Sequence, residues 1–348
     1  MPDLRIALTA AVLLAAVSPV RAQWDPALAA RYLDARQQAW FDWKTAQSSD
    51  GPCVSCHTGM TYLLARPVLR RALHEAEPTT FETGLLNRLR TKIAKPQEGA
   101  LGTVEAVMSA MFFSRDEARE AMSSHAKQAF DRLWESQDTG GASKGAWQWY
   151  EASLDPWENH ESGYYGASLV ALALGQAPAS YRQEAGVRAN VAALTTYLSS
   201  PATTPRLHDR LALLWASASM PGLLNDAAKQ ALVAEIFAKQ QADGGWTLAG
   251  LGPWMVHADP PPSSGSHAYA TAFTAFALQR AGVKPADAGL GKAIAWLRAH
   301  QDPATGAWPA VSMNKKYPDG SMMSLFMQDA ATAFASIALV EADAARTR

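Results

Sequence analysis

Two kinds of apolar segment alternate along this chain. In the first, aliphatic residues fall on one face and charge on the other. Asp226 to Lys239 and Asp287 to His300 show this pattern, the period of a helix buried on one side. The second kind is rich in alanine and almost free of charge, as in Gly163 to Gly175 (GYYGASLVALALG), His267 to Gly282 and Gln328 to Val340. Such helices suit enclosure on nearly every side. Pairing each charged segment with the alanine-rich one that follows predicts six outer and inner helix pairs. They are 27–43 with 60–74, 79–94 with 100–114, 117–137 with 161–175, 180–198 with 206–219, 225–240 with 266–281, and 287–301 with 323–341. The predicted fold is all-α: a single α/α toroid of about six helical hairpins, occupying 23–348 as one domain.

The connections are of two sorts. Inner-to-outer links are short, such as Glu75 to Pro78 and Gly282 to Ala286. Three outer-to-inner links, near 138–160, 241–265 and 302–322, are long. All outer-to-inner links of a ring must lie on one face, and long loops gathered on one face are a usual place for function.

Three outer helices end in a repeated pattern of glutamine, a glycine-containing turn and tryptophan: Gln137, Gly145 and Trp147; Gln240, Gly244 and Trp246; Gln301, Gly306 and Trp308. A recurring unit of this size marks a repeat architecture. The Gln-x4-Gly-x-Trp spacing at Gln301 to Trp308 resembles the QW motif of squalene and terpenoid cyclases, with a shortened version at Gln240 and a lengthened one at Gln137. The resemblance implies the toroid of the cyclase catalytic domain and of the prenyltransferase β-subunit. The chain also resembles exported squalene-cyclase-like proteins that carry a Cys-x-x-Cys-His motif near the N-terminus. Their catalytic signatures are missing here. The sequence has no Asp-x-Asp-Asp tetrapeptide, no Asp-Asp-x-x-Asp magnesium motif and no residues left for a second cyclase domain. An isoprenoid-binding or cyclising toroid is therefore the weakest expectation, since fold does not carry reaction.

The chain has two cysteines, and both lie in Cys53-Val54-Ser55-Cys56-His57. This spacing is the attachment signature of c-type haem, with His57 as the proximal iron ligand. The expectation is one covalently attached haem c, held by Cys53, Cys56 and His57 in a loop at 50–59. A redox disulfide or half of a zinc site is the plainer alternative. No second ligand pair supports zinc, and no βαβ context supports a thioredoxin-type pair. The N-terminus agrees with export: Arg5, an apolar run from Ile6 to Val17, then Val20-Arg21-Ala22. That layout reads as a signal peptide over 1–22, cleaved near Ala22, with a periplasmic product.

A net charge of −1 at pH 7 gives no footprint for nucleic acid, and no membrane span is expected after the signal. Candidate distal haem ligands are His160, His208 and His267, each at the start of an inner helix. His160 with Glu161, and His208 with Asp209, are candidate catalytic acid–base pairs. Glu158 and Asp329 lie in similar places, where helix capping is the simpler role. Tyr269, Phe273 and Phe276 form an aromatic stripe suited to core packing or to a small apolar ligand in the lumen. Together these readings predict a haem-dependent redox enzyme at the toroid mouth. The alternative is an electron-transfer or sensing cytochrome with a periplasmic redox partner.

Overall fold

The computed structural model describes residues 24–48, 51–114, 122–259 and 264–346. The expected signal peptide lies outside the described residues, as does the start of the third predicted outer helix. Six hairpins are present. The pairs are α1 (Pro26–Asp42) with α2 (Gly59–Ala72), α3 (Thr80–Ala94) with α4 (Gly99–Phe113), and α5 (Ser124–Ser136) with α6 (Gly163–Gln176). They continue with α7 (Arg188–Ser199) and α8 (Leu207–Ser217), α9 (Asp226–Ala238) and α11 (Ala268–Arg280), then α12 (Ala288–Ala299) and α13 (Phe326–Arg346). A single turn, α10 (Leu248–Leu251), sits in the loop before α11. The only described strands form a two-residue hairpin, Gln47–Ser48 against Gly51–Pro52. The all-α toroid predicted from the pattern is the observed fold.

Burial separates the two helix types as the composition requires. Every residue of α11 from Ala268 to Leu278 is buried, whereas α9 buries only Leu232 and Ile236. Inner helices pack side by side in the order α4, α6, α8, α11, α13, α2. Alanine allows these close approaches, and the aromatic stripe fills what remains. Tyr269 stacks on Phe273 at 5.9 Å, Phe273 and Phe276 both meet Phe334, and Trp215 meets Phe276 at 4.9 Å. A cavity of about 320 Å³ persists below this plug, lined by Leu64, Val68, Trp215, Phe276, Arg280 and Ile337. One described helix, Met323–Arg346, is long and apolar enough to cross a membrane; it contains α13, which lies in the inner ring against α2 and α11.

The repeated glutamine, glycine and tryptophan join one hairpin to the next. Gln137 Nε2 donates to Gly145 O and to Asn190 O at the start of α7. Gln240 Nε2 does the same to Gly244 O and Gly289 O on α12, and Gln301 Nε2 to Gly306 O and Asp25 O. Each indole then donates to the last turn of its own outer helix: Trp147 to Leu133 O, Trp246 to Ile236 O and Trp308 to Leu297 O. These bonds satisfy helix-terminal carbonyls that otherwise lack partners. The glycines are needed because their φ angles are +95°, +98° and +80°, and the next outer helix passes where a Cβ would stand. The last junction closes the ring, because Gly306 abuts Leu28 of α1.

Candidate active site at the mouth of the ring

Inner helices all begin at the face where the long loops lie. Five of them, α2, α4, α6, α8 and α11, carry no hydrogen bond from an N-cap side chain. By contrast α1, α3, α5, α9 and α12 are capped by Asp25, Thr79, Ser123, Asn225 and Asp287. The mouth therefore collects the positive ends of several helix dipoles.

The Cys53 to His57 loop is held firmly at this face. Trp40 Nε1 donates to Cys53 O at 2.8 Å, and Arg88 reaches Gly51 O and Pro52 O at 3.1 and 2.9 Å. Ser55 Oγ accepts from the amides of Thr58 and Gly59, which supplies the start of α2 with the cap it lacks. Both thiols are free. Burial pushes Cys56 well above the usual thiol range and Cys53 to about 11.

His57 is 4% exposed, stacked on Phe326 at 3.6 Å and edge-on to Trp40. Its Nδ1 lies 2.9 Å from Thr58 Oγ1, and that hydroxyl donates to Asp329 Oδ2 at 2.7 Å. A carboxylate only accepts, so the Thr58 hydroxyl spends its proton on Asp329 and must accept from Nδ1–H. Nε2 is left with the lone pair. Asp329 also accepts from Arg36 Nε and Nη2 and from Tyr32. Desolvation, with Arg36 close by, lowers His57 to about 3, so its imidazole is neutral.

Asp155 binds the long loops to one another. Its Oδ1 accepts from Arg206 at 2.8 Å and from Asn159, its Oδ2 from the Met255 amide, and its backbone pairs twice with the Asn314 side chain. Arg206 spans Asp155 and Asp209 in a nearly sealed pair. Beside this node lies Glu158, whose carboxyl takes a hydrogen bond from the Cys56 thiol and is pushed by burial up to about 7. A small pocket of about 10 Å³ is lined by His57, Asp155, Trp157, Glu158, Asn314, Tyr317, Met323 and Phe326.

The predicted site residues divide three ways. Cys53, Cys56 and His57 sit at the mouth as expected. His208 and Asp209 are paired at 2.8 Å, but the pair is sealed: His208 is fully buried and its Nε2 bonds the Tyr269 hydroxyl at 2.8 Å. Tyr269 in turn accepts from Trp157 Nε1. Neither nitrogen of His208 is open to a ligand, and burial lowers its basicity. His160 and Glu161 are exposed, 3.9 Å apart, and line a separate cleft with Tyr164 and Tyr197. His267 is buried, bonds Val311 O through Nε2 at 3.2 Å and is lowered to about 4. Glu158, read as a capping group, turns out to cap no described helix. Arg206 and Asn314 gave no signal at all, because their roles depend on loops distant in sequence.

The donor set at Cys53, Cys56 and His57 suits a haem: two free thiols and an imidazole whose second nitrogen is held by a hydroxyl–carboxylate relay. The space does not suit one, since about 10 Å³ holds roughly one water. None of the three distal candidates lines this pocket, and no group of three or more metal-binding side chains occurs among the described residues.

No protein-family description matches the chain, and no curated protein matches it. Solved structures do match. A polysaccharide lyase aligns at TM-score 0.51 and 11% identity, over 93% of this chain and 99% of its own. The structure titled UGL with dGlcA-Glc-Rha-Glc aligns at TM-score 0.52 and 14% identity, over 89% and 95%. At these identities the likeness shows the fold. It corrects the cyclase resemblance: the toroid is similar to those of carbohydrate-active proteins, and the glutamine–tryptophan repeat is a joint between hairpins rather than a mark of terpenoid cyclases. The haem-dependent oxidoreductase, the electron-transfer or sensing cytochrome and the isoprenoid-cyclising toroid are corrected with it. The sealed His208, the outlying His160 and the engaged His267 leave those readings without a distal side.

Proposed function

We propose that the protein cleaves glycosidic bonds in an acidic carbohydrate, with Glu158 donating the proton to the leaving oxygen. The observation that carries this is the Glu158 carboxyl, held at about 7 in the same pocket as the unprotonated Nε2 of His57. A general acid is most effective when its pKa lies near the working pH, and raised carboxyls are a common device of glycoside cleavage. Trp157, Tyr317 and Phe326 offer flat apolar walls to sugar faces. Uncapped helix starts around the mouth favour a negatively charged sugar such as a uronate. The similar structures named as a lyase and as UGL with a dGlcA-containing saccharide are in keeping with this class.

In this arrangement His57 Nε2 accepts a hydrogen bond from a sugar hydroxyl, while Asn314 and Tyr317 contribute polar edges. The Asp155 node keeps the three loops in register around the bond to be cleaved. The pocket is closed as it stands, so the 309–325 loop, which carries Asn314, Tyr317 and Met323, must swing aside to admit substrate. The test is turnover of uronate-containing and neutral oligosaccharides, with new reducing ends marking hydrolysis and an ultraviolet-absorbing unsaturated product marking elimination. Glu158→Gln is expected to lose roughly 10²- to 10⁴-fold in rate. Equal rates for variant and parent would end the proposal.

Export belongs to this proposal, since a polymeric acidic sugar is met outside the cytoplasm. Covalent haem c on Cys53 and Cys56 is a separate proposal about content, resting on the motif and its two free thiols. An absorption spectrum decides it without reference to activity.

A further inference from the structure

We propose that Cys53 and Cys56 form a thiol-oxidation site: closure to an intrachain disulfide withdraws the hydrogen bond that the Cys56 thiol donates to Glu158, and so regulates the acid. The coupling to activity rests on the role proposed for Glu158; the oxidation itself does not.

The two thiols stand three positions apart, both unpaired, in a loop fixed at each end. Trp40 and Arg88 hold the segment around Cys53, and Ser55 holds the start of α2. Cys53 is half-buried and Cys56 is 3% exposed, so an oxidant meets Cys53 first. The reaction balances as ordinary exchange. The Cys53 thiolate attacks a disulfide oxidant and releases one thiol of it. Cys56 then displaces the second, forming the Cys53–Cys56 bond as the oxidant gains two electrons and two protons. Glu158 is the base best placed to take the Cys56 proton, because that thiol already points its hydrogen at the carboxyl. Burial alone makes both thiols sluggish, and an ionised Glu158 is what would release Cys56.

Closure changes the acid in one direction. The thiol hydrogen bond stabilises the ionised carboxylate of Glu158 and lowers its pKa against the larger effect of burial. Without it the carboxyl keeps its proton to higher pH. The other titratable groups around Glu158 are Cys53, Tyr150, His57, Asp155 and Tyr317. The pair sites, His57 with Thr58 and Asp155 with Arg206, keep their partners through the change.

The experiment uses the full chain equilibrated against oxidised and reduced glutathione, then alkylated and weighed. Two alkylated cysteines are expected under reducing conditions and none under oxidising ones, without a lasting glutathione adduct. Cys53→Ser is expected to keep one thiol and to carry glutathione on it. Both thiols remaining alkylatable at every poise would overturn the proposal, as would a peptide over 51–58 bearing a porphyrin. In the oxidised protein the alkaline limb of the pH–rate profile should move upward; an unmoved limb with a closed disulfide would overturn the coupling. A protein that oxidises but cleaves no carbohydrate would count against the role of Glu158 and leave the thiol site standing.

Discussion

Gln301 and Asp25 stand 276 positions apart and bond each other in both directions: Asp25 N–H donates to Gln301 Oε1 at 2.6 Å, and Gln301 Nε2 donates to Asp25 O at 2.9 Å. They close the ring between its last and first hairpins. Trp24 with Asp343, and Arg36 with Asp329, reinforce the same seam.

Gly306→Ala should open that seam. A Cβ there would lie 2.4 Å from the Leu28 carbonyl carbon, on a backbone with φ +80°. The expected loss is about 2 kcal/mol or more, because strain and collision add. Gly140→Ala, with nothing within 4 Å and no positive φ, should change stability by less than about 0.5 kcal/mol. Denaturant midpoints of the two variants compare them directly.

Thr58→Val keeps the shape of the side chain and removes the link between His57 and Asp329. It leaves the Nδ1–H donor and an Asp329 lone pair without a partner in a dry site, at a cost of about 1–3 kcal/mol. Thr58→Ser should recover most of the loss. A valine variant as stable as the parent would show that the relay is idle.

His57 also makes stability depend on acidity. Its folded value of about 3 lies below the ordinary 6.5. The unfolded chain therefore binds the extra proton, and stability falls as pH drops from about 6.5 towards 3. Glu158 works the other way: its folded value, about 7, lies above the ordinary 4.5. Its penalty is absent below 4.5 and grows as pH rises to about 7. Glu158→Gln should remove that second slope, so that the variant gains on the parent above pH 7 in denaturant titrations.

Arg206→Met should be the most damaging change at the mouth. It strands Asp155 and Asp209, each about 1% exposed, without their charged partner. Removing one side of a buried pair costs about 3–5 kcal/mol. Loss of the node should also free the roof loops, read as faster proteolysis within 138–160 and 241–265.

Helical pattern and composition were enough to place the hairpins, because an enclosed alanine-rich helix and a one-sided charged helix differ at every turn. The third outer helix is expected from 117 and is described only from Ser124. The fourth begins at Arg188, since 181–183 forms a separate 3-10 turn. The repeat of glutamine, glycine and tryptophan was visible, but its purpose was not, because each bond reaches the next hairpin. The candidate site was only half legible. Cys56 and His57 announce themselves by spacing, whereas Glu158 gains its character from a loop 100 residues away in sequence. Equivalent positions misled for the histidines: His160, His208 and His267 share a place at helix starts yet point to a surface cleft, a sealed network and a loop carbonyl.

The most direct measurement is the pH–rate profile of acidic-oligosaccharide cleavage by the parent and by Glu158→Gln. A parent rate that is level below about pH 7 and falls tenfold per unit above it, with a variant reduced by at least roughly 10² at every pH, is the predicted result. A parent that cleaves no such sugar, or a variant with the parent's rate and profile, would contradict the account.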